Sequence, residues 1–293
     1  MKIGVNGHIV DDKEAVVSVY DHGFMYGMGV FETFRTYGGR PFLFTEHLRR
    51  LAEGCRQLGI EYEPDETSLR TLLDELLSAN GLRDAYVRLT VTAGSAALGL
   101  PAGAYMHPTT VMYVKELPKF DASLYERGKS LQLLKLRRSS PEGPFRLKSL
   151  HYMNNILAKR EMSRYPWAHE AEGLFLDARG FVAEGIVSNL FFISGGEICT
   201  PSPETGLLEG ITRNWVIGAL RAKDRNVREG LYTWDDLLKA DEIFITNSIQ
   251  EIVPVRLLFD ERGQSHAVGG GAPGEWTKRL LAEYREAAAK LNF

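Results

Sequence analysis

The chain has 293 residues and a formal net charge of −3, from 35 lysines and arginines against 38 aspartates and glutamates. That balance argues against an extended polyanion-binding surface, so no nucleic-acid partner is expected, while it allows a local phosphate pocket. With 44% hydrophobic and only 25% charged residues, the composition is that of a folded globular chain rather than a disordered one.

No apolar run approaches the roughly 18 residues a membrane span needs, and MKIGVNG has neither the basic stretch nor the apolar core of a secretion signal. Cys55 and Cys199 stand far apart without metal-ligand companions, as buried thiols in a reducing compartment do. A soluble cytoplasmic protein without a metal is the expectation.

In chain order, IGVNGHIV reads as two short strands joined at Asn6-Gly7. Val16 to Tyr20 reads as a strand or an extended entry to the glycine- and aromatic-rich DHGFMYGMGVFETFR. Thr45 is a plausible cap for a helix on which Leu48, Leu51, Cys55 and Leu58 recur at helical spacing, with Gly59 near its stop. A second helix is predicted over ETSLRTLLDELLSAN, then strands over YVRLTVTAG and PTTVMYVKEL.

The breaker and turn residues between Pro118 and Gly128 mark a linker, so the predicted organisation is a small domain at 1–118, a linker at 119–128 and a large domain at 129–293. In the latter, LQLLKL reads as a strand, and Lys148 falls just before a helix that brings Tyr152, Ile156 and Lys159 to one side. Short strands cover AEGLFLDARGFVAEGIVSNLFFISGGEICTPS. A loop enters a helix at LLEGITRNW, a strand and polar loop follow in DEIFITNS, and the chain closes on the helix EWTKRLLAEYREAAAKL. The fold class is therefore α+β, with a mixed or antiparallel second domain.

The short motifs for dinucleotide, nucleotide-phosphate, zinc-protease and serine-hydrolase sites are all absent. What remains is a set of parts: Lys148, which forms a Schiff base when neutral; the carboxylate Glu184; Arg50; and loops at Gly210-Ile211-Thr212-Arg213 and Thr246-Asn247-Ser248 whose amides and hydroxyls suit a phosphate. Taken alone, an isolated lysine is ordinarily a solvated surface charge, and Thr212 an ordinary helix cap.

The ordered series VNG, YGMGVFETFR, EHLRRL, YVRLTVTAG, RLKSLHYMNNILAK, GFVAEGIVSNLFFI, LLEGITR, TNSIQEIVPV and GAPGEWTKRLL resembles the fold-type IV pyridoxal-phosphate enzymes across nearly the whole chain. The resemblance implies pyridoxal 5'-phosphate as cofactor, bonded by Lys148. It implies Glu184 at the pyridine nitrogen, and Arg50, Ile211, Thr212 and Ser248 at the phosphate, with Arg49 left on the surface. Tyr152 becomes a site wall or cofactor-oxygen contact, or simply a core aromatic. Arg88 is placed near a substrate carboxylate, and Tyr26 and Phe31 beside the substrate or in the core. Because this family builds its sites at a subunit interface, a homodimer is also implied.

Within the family, RLTVTAG, PEGPFRLKSLHYMNNILAKRE and GFVAEGIVSNLFF are most similar to bacterial aminodeoxychorismate lyases. That implies conversion of 4-amino-4-deoxychorismate to 4-aminobenzoate and pyruvate, a folate-pathway step. Lys148 then moves protons, and Thr33 is a second candidate to protonate the three-carbon fragment. Branched-chain or D-amino-acid transamination is the alternative. Leu98 and Leu100 stand where D-amino-acid enzymes carry Arg and His, whereas Tyr26, Phe31 and Arg88 match the branched-chain pattern.

Overall fold

The computed structural model describes residues 1–119 and 123–290, and within them the chain forms two compact units. The first holds Met1–Lys119, the short return segment Leu147–His151 and residues 288–290; the second holds residues 123–146 and Tyr152–Ala287. Positions 120–122 of the expected linker lie outside the described residues, and Ser123–Arg127 within it is a short helix.

The first unit is built on an antiparallel sheet in the spatial order His8–Asp11, Lys2–Val5, Thr109–Glu116, Ala85–Thr92, Gly29–Tyr37 and Arg40–Pro41. The hairpin at its start turns through Asn6 (φ 49°) and Gly7 (φ 80°), two consecutive left-handed residues of the kind that match strand twist in a two-residue loop. Val16 to Tyr20 forms no strand: Val16, Val17, Val19 and Tyr20 are all exposed, so no alternating buried face exists to pair. The next element is the helix His22–Tyr26, whose first turn is capped by Asp21 accepting from the Gly23 amide at 2.7 Å.

Two helices, Phe44–Gln57 and Glu66–Ala79, cover one face of this sheet. Thr45 does not cap the first. The cap lies two residues earlier, at Leu43 in the left-handed region at φ 54°, and Thr45 instead donates to Glu66 at 2.9 Å. Asp65 caps the second helix through the Thr67 amide at 3.0 Å. Leu48, Leu51, Leu73 and Leu76 close over Val30, Phe34, Val87 and Leu89, each buried leucine contributing about 1.5–3 kcal/mol.

The second unit's sheet runs in the order Val227–Gly230, Glu197–Pro201, Asn189–Ser194, Glu242–Asn247, Glu251–Phe259, Lys129–Leu133, Glu172–Leu176 and Val182–Gly185, with Ser265–Ala267 paired to Glu251–Phe259. It is mixed: Lys129–Leu133 lies parallel to both neighbours and Glu197–Pro201 parallel to Val227–Gly230, while the other pairs are antiparallel. Both faces are covered, which is why NLFFI is apolar at every step rather than at alternate ones. Leu190 and Phe192 enter one core, whereas Phe191 stacks on Phe244 from the other face, with ring centroids 5.0 Å apart. Helices Met153–Met162, Ile211–Arg221 and Glu275–Ala289 flank it. The expected α+β architecture is present, and no helix among the described residues is long and apolar enough to cross a membrane.

Candidate functional site

In the first unit, Lys148 is placed by backbone hydrogen bonds rather than by the helix that follows it. The Phe31 amide donates to the Lys148 carbonyl at 2.9 Å, the Leu150 amide donates to the Gly29 carbonyl at 3.0 Å, and Val30 and Ser149 form an antiparallel bridge between them. The return segment is thus added beside strand Gly29–Tyr37. The side chain of Lys148 lies on the same face as Phe31, its Nζ 4.7 Å from the ring centroid.

The pairing of Phe31 with Thr90 and of Thr33 with Arg88 puts these four residues on that face as well, because directly opposed residues share a side of a sheet. The Arg88 guanidinium lies 3.6 Å from the Phe31 centroid, and its Nε donates to Thr90 Oγ1 at 3.3 Å. One aromatic ring therefore carries two cations, an arrangement suited to an anionic, planar guest. Tyr26 sits at the end of its short helix, its hydroxyl accepting from the Gly99 amide at 3.3 Å and its carbonyl from His151 Nε2 at 3.0 Å.

The opposite face of the same strand holds Glu32 between Val30 and Phe34, with 1% exposure. Its carboxylate takes Arg50 through both Nε (2.6 Å) and Nη2 (2.7 Å), and His47 Nδ1 at 2.6 Å. Arg49, one residue away on the helix, is exposed. Burial pushes the Glu32 carboxyl up, but the Arg50 charge and then His47 pull it down further, to about 2 against an ordinary 4.5. His47 is lowered from 6.5, first by burial, with Glu32 opposing and the Arg50 and Lys148 cations reinforcing. At neutral pH the imidazole is therefore neutral, with its proton on Nδ1, the only tautomer that can donate to a carboxylate.

Both groups titrate lower folded than unfolded, so the stability they contribute is present above the unfolded values and lost as pH falls through the folded ones. Acidification is expected to lower the urea midpoint first below pH 6.5, as His47 protonates in unfolded chains, and again between 4.5 and about 2. Glu32→Gln should flatten the lower limb. A midpoint unchanged between neutral pH and pH 3, roughly the middle of that lower window, is incompatible with this pairing.

In the second unit, Glu184 lies in strand Val182–Gly185, buried, with Oε1 accepting from Arg138 Nε at 2.7 Å and Oε2 from the Leu208 amide at 3.1 Å. Asn189 holds the same loop, donating to the Leu208 carbonyl at 2.7 Å and accepting from the Gly210 amide at 3.1 Å. These bonds bring Glu184 next to the start of helix Ile211–Arg221. Gly210 has no room for a side chain, since a Cβ there would meet Asn189 Oδ1 at 2.1 Å. Arg138 reaches on to Asn154 Oδ1 at 2.7 Å, on the helix that Tyr152 precedes as N-cap.

The helix start is made for an anion. The N-cap is Gly210, which has no side chain to occupy the first-turn amides at Ile211 and Thr212, and Thr212 Oγ1 lies 3.4 Å from Ser248 Oγ. Thr246 Oγ1, opposite Asn189 in the sheet, is buried without a hydrogen-bond partner among the described residues. Oriented amides, two facing hydroxyls and the positive end of a helix dipole fit a phosphate, and the neighbouring buried carboxylate fits a protonated ring nitrogen. No cluster of metal-ligating side chains occurs among the described residues.

Thus Lys148, Phe31, Thr33 and Arg88 gather on one face of the first unit's sheet with Arg50 on the other, while Glu184, Ile211, Thr212 and Ser248 gather in the second unit, tied to Tyr152 through Arg138. Glu32, His47, Arg138 and Asn189 escaped the sequence reading. For Glu32 and His47 the signal was a polar residue at a position whose period marks it as core, whereas Arg138 lies outside every helix and strand described and carries no such signal.

Two β-based units of this topology, one with a lysine strapped to a sheet and the other with an anion-binding helix start, define the scaffold of a class of lysine-dependent cofactor enzymes. The chain belongs to the amino-transferase class IV family, whose model matches residues 29–258. It is 44% identical to the aminodeoxychorismate lyase of Bacillus subtilis, over 97% of this chain and 94% of that one. Among solved structures it resembles 4-amino-4-deoxychorismate lyase from Pseudomonas aeruginosa (TM-score 0.83, 30% identity, 97% and 98% of the two chains). It also resembles the branched-chain amino acid aminotransferase of T.th., solved with pyridoxamine 5'-phosphate (TM-score 0.85, 31% identity, 98% and 93% of the two chains).

Proposed function

We propose that this chain is a pyridoxal-phosphate-dependent lyase that converts 4-amino-4-deoxychorismate to 4-aminobenzoate and pyruvate. The reading is carried by Lys148 lying over Phe31 beside Arg88, in a chain 44% identical over nearly its whole length to an aminodeoxychorismate lyase. When bound, the cofactor supplies an aldehyde that takes an amine and a pyridinium ring that takes up an electron pair.

Lys148 would hold the cofactor, and its free amine would remove the proton whose loss lets the substrate ring aromatise. The carbon–oxygen bond to the enolpyruvyl group breaks, and Lys148 or the Thr33 hydroxyl returns a proton to the departing three-carbon fragment. Glu184, held by Arg138, keeps a proton on the ring nitrogen. Arg50, the Ile211 and Thr212 amides and Ser248 hold the phosphate, with Tyr152 beside the ring. Arg88 pairs with the substrate carboxylate, and Phe31 and Tyr26 wall the ring.

Domains at 1–118 and 129–293 joined by a linker at 119–128, a cytoplasmic location and a homodimer belong to the same proposal. The location is supported by Cys55 and Cys199, both buried and unbridged. The dimer is supported by exposed apolar residues in the first unit: Phe24 (75%), Leu98 (70%) and Leu100 (89%). The Ala96 amide donates to the Tyr20 carbonyl at 3.2 Å and Asp21 bridges Ser95, which brings the segment carrying Leu98 beside the one carrying the exposed Val19. Sedimentation should give twice the chain mass, and a fully active monomer at assay concentration contradicts the dimer.

Aminotransferase activity is the competing reading, and the need for an amino acceptor separates the two. Purified, cofactor-loaded protein is expected to form 4-aminobenzoate from 4-amino-4-deoxychorismate alone, and little glutamate from L-leucine or D-alanine with 2-oxoglutarate. Glutamate formation without any 4-aminobenzoate moves the chain to the aminotransferases.

A further inference from the structure

Burying a carboxylate in a leucine-rich sheet–helix layer needs a reason. Replacing a buried ionic group by apolar residues of similar volume often leaves a protein as stable or more so, so the stability that the Glu32–His47–Arg50 pairing contributes does not by itself account for charges at these positions. What the cluster does fix is direction. Glu32 Oε1 and Oε2 engage Nε and Nη2 along one edge of the guanidinium at 2.6 and 2.7 Å, a two-point contact that sets rotation about the terminal bonds of Arg50 and aims the opposite edge away from the carboxylate.

His47, three residues before Arg50 on the same helix, locks the carboxylate in turn. Its Nδ1 lies 2.6 Å from Glu32 Oε2, and its ring packs against Phe34 with centroids 5.3 Å apart. Arg50 has 20% of its side chain exposed against 1% each for Glu32 and His47, so the cluster grades from a buried base to an accessible tip.

We propose that Glu32, braced by His47, is a positioning residue that aims Arg50 at the phosphate of the bound cofactor. This rests on the cofactor reading above, and it adds two residues that act through Arg50 rather than on the cofactor. The test uses two ligands that differ in one group. Full-length protein stripped of cofactor is titrated with pyridoxal 5'-phosphate and with pyridoxal, which has the same ring and aldehyde without the phosphate, and the ratio of the two affinities is the readout.

Glu32→Gln is expected to lower the affinity for pyridoxal 5'-phosphate by about 10- to 100-fold, the worth of a charged hydrogen-bonded contact, and to leave that for pyridoxal within about twofold. His47→Asn, which keeps a donor near the Nδ1 position, should preserve the wild-type ratio, while His47→Leu should lower it. Should Glu32→Gln fail to fold, the two His47 variants carry the test. Equal losses for both ligands, or a ratio unchanged in both Glu32→Gln and His47→Leu, overturn the positioning role. A wild-type protein that binds both ligands equally removes the phosphate role of Arg50 itself, a different and recognisable failure.

Discussion

Replacing Lys148 by alanine is expected to abolish cofactor attachment and to cut turnover by at least about 10²–10⁴-fold, the share of proton transfer alone. The fold should survive, because the segment is held by main-chain bonds, the Lys148 carbonyl to the Phe31 amide and the Leu150 amide to the Gly29 carbonyl, which the side chain does not make. Lys148→Arg sharpens the result. It keeps a cation over the Phe31 ring but has no amine that deprotonates, so it should be as inactive as alanine. Turnover near wild type in either variant, with the lysine–cofactor absorbance retained, would falsify the assignment.

The second large effect concerns stability. Glu184 and Arg138 form an ion pair at 2.7 Å in which each side chain is 7% exposed, so Glu184→Ala strands a guanidinium away from water. Breaking one partner of such a pair costs about 3–5 kcal/mol, which should appear as a large drop in the urea midpoint of the cofactor-free chain. Removing both charges together, as Glu184→Leu with Arg138→Leu, should recover part of that loss, because no unpaired charge remains. The double variant should nonetheless stay inactive, since the carboxylate proposed for the ring nitrogen is gone. A single Glu184→Ala variant as stable as wild type would mean the pair is relaxed by water in solution.

Local pattern was enough for much of the fold. The Asn6-Gly7 hairpin, the two helices of the first unit and the terminal helix all follow from turn chemistry or apolar spacing within one element. The strand alternative for Val16 to Tyr20 and the cap at Thr45 failed for the same kind of reason. Val16 to Tyr20 has the composition of a strand but no neighbour to bury it, and Thr45 has the chemistry of a cap, yet Leu43 takes the cap position in a left-handed conformation that β-propensity and capping rules do not foresee.

The candidate site was legible mainly as an ordered resemblance. Lys148, Arg50, Glu184 and Thr212 were picked out by matched segments, whereas their supporting groups come from pairings distant in sequence. Glu32 meets His47 and Arg50 across 15 and 18 residues, Arg138 meets Glu184 across 46, and Asn189 meets Gly210 across 21. A charge between Val30 and Phe34 announces that a partner must exist; only the folded sheet says which.

The most direct measurement is the time course of both products from 4-amino-4-deoxychorismate, with cofactor-loaded protein and no added amino acceptor. Equimolar 4-aminobenzoate and pyruvate, rising together through many turnovers and absent with Lys148→Ala, is the expected result. Release of pyruvate without 4-aminobenzoate would contradict this lyase, and a reaction that stops after one equivalent until a 2-oxo acid is added would point to amino-group transfer instead.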